Sequence, residues 1–429
     1  MTGVYRLSIV CLWLSIQLSY VLLMKPFTLF TCAYFRFNRL GGLLRLFVFI
    51  GSCSLICLPA LSKAQEDESD VDVTEEIWGQ YKGEDIKRFT LSNQHGMRVS
   101  VTNWGAYVTS IIVADKNGTF EDVVLGYDSA DEYVHDCCYN GATVGRFANR
   151  IAGGHFQIDG KPVQLSVKRD GGNKGNHAHG GELGFNKKLW QARQVPSGVE
   201  MRYLSLDGEE GYPGNANVTV LYRLNANNEF TVSFHATSDK TTPINLISHI
   251  YFNLTGNQKR NIEQHQLQVD ASTLVQVKKS LLPTGKLMSV KRTPFDLTKA
   301  ATLHGRLTSV HEQLKLANGQ DKTHGGFDHT WVFDRYDGKL LHQVQLYEPD
   351  SGRMLDILTT QPGVHVYTGN FMNGSAIGKQ GKPMTFRSGV ALETQHFADS
   401  VNQPEFPSTL LRPGETYSES TVYRFGSRQ

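Results

Sequence analysis

The chain carries almost no excess charge of either sign: 43 basic against 41 acidic side chains leave a formal net charge of +2 over 429 residues. That balance gives no overall electrostatic reason to expect nucleic acid as a partner. Cysteine is scarce and unevenly placed, with Cys11, Cys32, Cys53 and Cys57 near the start and only the adjacent Cys137 and Cys138 beyond them. No CxxC pair or zinc-finger spacing occurs, so no disulfide framework follows. Neighbouring side chains diverge along an extended backbone, and Cys137 and Cys138 read as free thiols, with a strained vicinal bond as the alternative. Sustained 3.6-residue periodicity, internal repeats and low-complexity tracts are also lacking. What is present, 40% hydrophobic and 20% charged residues with 41 glycines, is the composition of a turn-rich globular protein rather than a disordered, collagen-like or coiled-coil one. At roughly 150 residues per domain the length allows two or three domains, although β-sandwiches often run larger as single units.

Long apolar runs are confined to the first 64 residues, from Leu7 to Met24 and from Leu46 to Ser62, with Lys25, Arg36, Arg39 and Arg45 between them. If translation starts at Met24, those cations form a positive n-region, Leu46 to Cys57 an apolar h-region, and Ser62-Lys63-Ala64 a small-residue cleavage site. If Met1 is the start, Leu7 to Met24 is a marginal membrane span, since a bilayer needs about 20 apolar residues. Lipidation at Cys53 is a third option. Residues 1–64 are therefore expected to be a signal peptide or membrane anchor, 65–80 an acidic linker, and 81–429 the folded domain, exported to a periplasmic or extracellular compartment.

From about Val73 onward the pattern has a period of two, as in Asn217 to Tyr222 and Phe230 to Phe234. Turn chemistry punctuates it: Asp159-Gly160, Asp337-Gly338, and the Asn-rich stretch from Asn225 to Asn228. One short helix is expected between Leu307 and Leu316. Regular strands without βαβ alternation predict an all-β fold, a large antiparallel β-sandwich.

Five polar clusters interrupt this pattern. Gly145-Arg146-Phe147-Ala148-Asn149-Arg150-Ile151 is either a surface arginine ladder or a grip on a hydroxyl-rich ligand; Asn149 and Arg150 point opposite ways unless the chain bends. Asn176-His177-Ala178-His179-Gly180-Gly181 places two imidazoles at i and i+2, but a zinc site needs further ligands that no nearby cysteine or acidic cluster supplies. His179 alone suits a polar ligand contact. Ser248-His249-Ile250-Tyr251-Phe252-Asn253-Leu254 sets a histidine in an aromatic strand, as a hydrogen-bonded core residue or a proton donor. Gly325 to Trp331 and Ala391 to Phe397 each hold a carboxylate, Asp328 and Glu393, between apolar neighbours, where desolvation demands a partner or a task. Together these groups form a plausible acid–base pocket for a sugar.

The same five segments resemble the aldose 1-epimerase (galactose mutarotase) family. The resemblance begins near Phe89 and includes Asp122-Val123-Val124-Leu125-Gly126-Tyr127, Asp207 to Asn215, Pro283-Thr284-Gly285 and Pro413 to Tyr417. It implies the family's galactose mutarotase-like supersandwich. It also implies general acid/base interconversion of α and β anomers of free aldohexoses such as glucose and galactose, through ring opening and reclosure, with no metal or organic cofactor. By the resemblance Glu393 is the general base at the anomeric hydroxyl and His249 the general acid at the ring oxygen. The pair would then need opposite protonation states, Glu393 ionised and His249 protonated. Asn149, Arg150, His179, Asp328, Tyr251 and His365 would contact the sugar. His365 stands where relatives commonly place a substrate-binding glutamine; Ser248, Ile250, Ala178 and Ala398 are further departures, which bear on substrate preference. The implied partner is a small-molecule aldose, in a monomer or homodimer that touches membrane only through its N-terminal segment. Two rivals stand beside this reading: a non-catalytic carbohydrate-binding module, and a hydrolase or lyase working with Asp328 and Glu393.

Overall fold

The computed structural model describes residues 71–136, 138–169 and 172–429, together with the backbone of Tyr34–Phe35 and Val48–Phe49, which pair antiparallel. Apart from those four residues, the expected targeting segment over 1–64, with its signal-peptide, anchor and lipidation readings, lies outside the described residues, as does Cys137. No helix among the described residues is long and apolar enough to cross a membrane.

Three antiparallel sheets dominate. Nine strands form the largest, in the order Gln191–Val195, Gly198–Ser205, Ala216–Leu224, Glu229–Ser238, Tyr417–Ser427, Arg353–Thr359, Leu341–Tyr347, Gln266–Val269 and Ala301–Thr302. A five-stranded sheet runs from Val71–Tyr81 through Glu84–Asn93, Arg98–Thr102 and Tyr107–Ala114 to Phe120–Asp122. The third has six strands: β1 (Tyr251–Phe252), β2 (Thr273–Val277), β3 (Pro283–Ser289), β4 (Asp328–Val332), β5 (Gly363–Tyr367) and β6 (Val390–Gln395), in the order β1-β6-β5-β4-β2-β3. One apolar cluster draws on all three, including Phe89 and Val99, Val220 and Ile357, and Trp331, Val364 and Leu392. The fold is the expected all-β sandwich.

The turn chemistry acts as expected. Asp159 and Gly160, at φ 50° and 77°, connect the hairpin His155–Ile158 and Lys161–Gln164 with the left-handed backbone that a two-residue turn requires. The linker expected over 65–80, by contrast, is strand from Val71 onward. Val71 and Val73 pack against the core, while Glu75 and Glu76 meet Lys87 and Arg88 of the neighbouring strand at 2.7 Å each. Within the described part of that span, Asp72, Glu75 and Glu76 are exposed side chains of an edge strand. Two short helices, Leu303–Leu307 and Glu312–Leu316, replace the single one expected. A third, Ala130–Val134, starts at a capping box in which Ser129 Oγ accepts from Glu132 N–H and Glu132 accepts from Ser129 N–H. Cys138 is disulfide-bonded, against the free-thiol expectation.

Candidate active site

The central strands of the six-stranded sheet alternate cleanly between two faces. Val364, Val366, Leu392 and Trp331 enter the core. The intervening residues, Asp328 and Thr330 on β4, His365 and Tyr367 on β5, and Ala391 and Glu393 on β6, share the opposite face. Register aligns them in rows: Thr330 with His365 with Glu393, and Asp328 with Tyr367 with Ala391 with Tyr251. Sequence positions up to 142 residues apart, from Tyr251 to Glu393, thus meet on one surface.

His249 lies just before β1, where the chain leaves a two-residue ladder between Ile247–Ser248 and Thr143–Val144. Its N–H donates to Ala142 O (2.8 Å) and its carbonyl accepts from Gly141 N–H (2.9 Å), which fixes the backbone. The imidazole Nε2 stands 3.4 Å from Glu393 Oε1, with both side chains buried. The Tyr251 ring lies 4.9 Å from the imidazole.

The arginine and histidine motifs enter from a second short ladder, in which Ala178 pairs with Arg150 and His177 with Ile151. Asn149 (φ 63°) and His179 (φ 49°) are both left-handed, a conformation for which Asn and His are enriched. This bend lets Asn149 and Arg150 serve the same site, and Arg150 Nη1 donates to Asn149 Oδ1 at 3.3 Å. It also separates the two histidines. His177 is locked between Ser166 O (2.7 Å) and the Tyr212 hydroxyl, whereas the His179 ring comes to 5.4 Å from that of His249. Gly180 makes the close approach possible, since a Cβ there would lie 1.7 Å from Gly145 O. The two arginines of the motif part company as well. Arg146 donates to the carbonyls of Ser205, Pro213 and Gly214 and is a buried brace.

Arg150 grips Asp328 in a bidentate pair, Nη1 to Oδ1 at 3.3 Å and Nη2 to Oδ2 at 3.2 Å. His365 Nε2 donates to the same Oδ1 at 2.8 Å while its Nδ1 meets Thr330 Oγ1 at 2.9 Å. Both nitrogens of His365 are committed, so it orients Asp328 and offers no free donor of its own. Burial works to raise the Asp328 pKa, but Arg150 and His365 outweigh it and hold the carboxyl well below the usual range.

Burial dominates the other pair in the opposite sense. It pushes Glu393 well above the ordinary carboxylate value, reinforced by the Asp328 charge and opposed by Arg150, and it lowers His249 to about 4. Both shifts favour the carboxyl over the imidazole as the holder of a proton shared by the pair. The arrangement expected from the sequence, ionised Glu393 facing protonated His249, is the other tautomer of the same one-proton pair. Glu393 Oε2 and His249 Nδ1 are buried with no hydrogen-bond partner in the protein, so the pair has capacity to spare for a ligand.

His179, His249 and Glu393 bring three ligand atoms within 4.8 Å of one another, close enough to consider a cation. The donor set works against it: His179 Nδ1 accepts from Asn149 N–H at 3.4 Å, which puts the ring proton on Nε2 and makes that atom a donor. Sequence reasoning overlooked Thr330 and Tyr139. The Tyr139 ring lies 4.8 Å from His179 and 5.9 Å from His249. Its only signal in the chain was its place beside Cys138.

The sequence profile of the aldose 1-epimerase family matches residues 87–424. The chain is 41% identical to galactose mutarotase of Bos taurus over 340 residues, 79% of this chain and 94% of that protein. It is 34% identical to aldose 1-epimerase of Escherichia coli (strain K12) over 347 residues, 80% and 96% of the two. Among solved structures, a GalM/aldose epimerase homologue from C. elegans matches with a TM-score of 0.70 at 28% identity, covering 78% of this chain and 97% of that one.

Proposed function

We propose that this chain, which belongs to the aldose 1-epimerase family, interconverts the α and β anomers of free aldoses such as glucose and galactose, with Glu393 as general base and His249 as general acid. The observation that carries this reading is the buried contact of 3.4 Å between His249 Nε2 and Glu393 Oε1. Glu393 takes the proton from the anomeric hydroxyl while His249 delivers one to the ring oxygen, and the C1–O5 bond opens to the free aldehyde. Rotation about C1–C2 presents the other carbonyl face. Reclosure with the roles reversed gives the other anomer.

The electrostatics bear on one half of this cycle: burial raises Glu393 and lowers His249, which favours the distribution reached after ring opening, so ring opening itself starts from the other tautomer, carboxylate facing imidazolium. Each positioned group commonly contributes about 10²–10⁴-fold. Asp328, held ionised by Arg150, accepts from sugar hydroxyls. Asn149, Arg150 and His179 supply donors, and Tyr251 forms a wall. His365 acts through Asp328. The rival hydrolase reading needs Asp328 or Glu393 as a second acid across a glycosidic bond, but the short partner of Glu393 is an imidazole and Asp328 is clamped as a carboxylate. A pure binding module has no use for a buried acid–base pair.

For location, the apolar run Leu46 to Ser62 followed by Lys63-Ala64 supports export to a periplasmic or extracellular space, by signal peptide or N-terminal anchor. The exported protein works as a monomer or homodimer. Polarimetry on freshly dissolved α-D-glucose and α-D-galactose tests the activity: wild type speeds the approach to anomeric equilibrium, and Glu393→Gln and His249→Asn each slow it by at least about 100-fold. Wild type without effect on several aldoses, or variants as active as wild type, would overturn the assignment.

A further inference from the structure

We infer that Tyr139 is a positioning residue of this site: its ring walls the two imidazoles, fixing their planes and keeping water from His249. The ring stacks on His249 at 5.9 Å with 24° between the planes and leans on His179 at 4.8 Å. Both ends of the residue are tied down. Behind it, Asp136 is buried and accepts from the hydroxyls of Tyr107 (3.0 Å) and Tyr127 (2.8 Å) and from the N–H groups of Cys138 (2.9 Å) and Asn140 (3.0 Å). Two and three residues ahead, Gly141 and Ala142 exchange backbone hydrogen bonds with His249 itself. At its tip, Lys168 Nζ donates to the Tyr139 hydroxyl at 3.3 Å and to Gly181 O at 2.6 Å, two residues past His179. Tyr139 thus links the segment carrying one imidazole to the segment carrying the other. The groups facing His249 are Glu393, His179, Tyr251 and Tyr139, with Asp328 and the His365 ring beyond them. Of these, Tyr139 is the aromatic cover contributed by a turn rather than by the sheet.

The inference builds on the proposed role of His249, but its first test needs no catalysis. Histidine-ring NMR titration of the sugar-free protein, with His249 assigned by its absence in His249→Asn, is compared for wild type, Tyr139→Ala and Tyr139→Phe. Tyr139→Ala admits water and moves the His249 midpoint up by at least about one unit toward its ordinary value near 6.5, whereas Tyr139→Phe leaves it in place. In polarimetry, Tyr139→Ala lowers kcat/KM by at least about 10-fold and shifts its acid limb upward, while Tyr139→Phe stays within about threefold of wild type. If Tyr139→Ala does not fold, Tyr139→Asn, which deletes the ring, admits water and suits the left-handed backbone of this position (φ 60°), is read in the same way. An unchanged His249 midpoint in the ring-deleted variant, or a Tyr139→Phe as damaged as Tyr139→Ala, overturns the inference. A wild type inactive on all aldoses sinks the functional reading instead and leaves the titration interpretable.

Discussion

Removing the Arg150 guanidinium should cost much of the stability that holds the sugar-facing sheet together, and removing its partner as well should restore most of it. The pair is bidentate, at 3.2 and 3.3 Å, and the two side chains are 11% and 6% exposed. At an effective dielectric near 20, two unit charges at that separation attract by about 5 kcal/mol. Deleting one member of a buried pair typically costs about 3–5 kcal/mol, because the other charge is left desolvated. Here His365 still donates to Asp328 at 2.8 Å and softens the loss, so Arg150→Met is expected near the lower end, about 3 kcal/mol. Arg150→Met with Asp328→Leu leaves no unpaired charge and should recover at least about two-thirds of that loss. The assay is urea or guanidinium unfolding, comparing midpoints at constant slope for wild type, both singles and the double. An Arg150→Met that loses less than about 1 kcal/mol, or a double variant no more stable than that single, would show that the clamp is solvated and that Asp328 is not held ionised by it. Neither the single nor the double variant should retain more than a few per cent of polarimetric activity.

Two further outcomes follow from the same electrostatics. The one-proton pair gains a second proton when His249 titrates, so the acid limb of kcat/KM should lie near pH 4 rather than near 6.5, and the alkaline limb above the ordinary carboxylate range. An acid limb at 6.5 would mean that His249 is hydrated. The sign for stability is the same: His177, His249 and His265 are each lowered to about 4, so the stability present above their unfolded value near 6.5 is lost as pH falls from there toward 4, which calorimetry across that window would register. His365→Ala should raise KM several-fold with kcat little changed, because it frees Asp328 to turn without touching the proton pair. His365→Gln, which keeps a donor for Asp328, should recover most of the affinity, and a loss confined to kcat would contradict the orienting role.

Much of this was legible in the residue order. Period-two alternation and the Asp-Gly turns carry strand and turn identity locally, and the parity of Asp328, Thr330 and Trp331 follows from the pleat alone. The capping box at Ser129 and Glu132 was equally local and went unread beside so many strands. The span 65–80 resembled a linker because the partners of its Glu75 and Glu76, Lys87 and Arg88, become neighbours only when the ladder forms. The split of His177 from His179 was hidden in two left-handed residues whose side chains do not require that conformation. Identifying Glu393 and His249 as a pair took the family resemblance, since nothing in a chain of alternating apolar residues says that positions 249 and 393 touch.

The order in which the strands appear along the chain has a consequence for how the protein is made. β6, residues 390–395, sits between β1 and β5, and the strand 417–427 sits between two strands that begin at residues 229 and 353. A ribosome must therefore synthesise almost the whole described chain before either sheet can close. Until then, each half-built sheet exposes an unpaired backbone row to any other nascent chain. Folding is expected to be post-translational and dependent on chaperones, and clipping the final strand should yield an aggregate rather than a weakened enzyme.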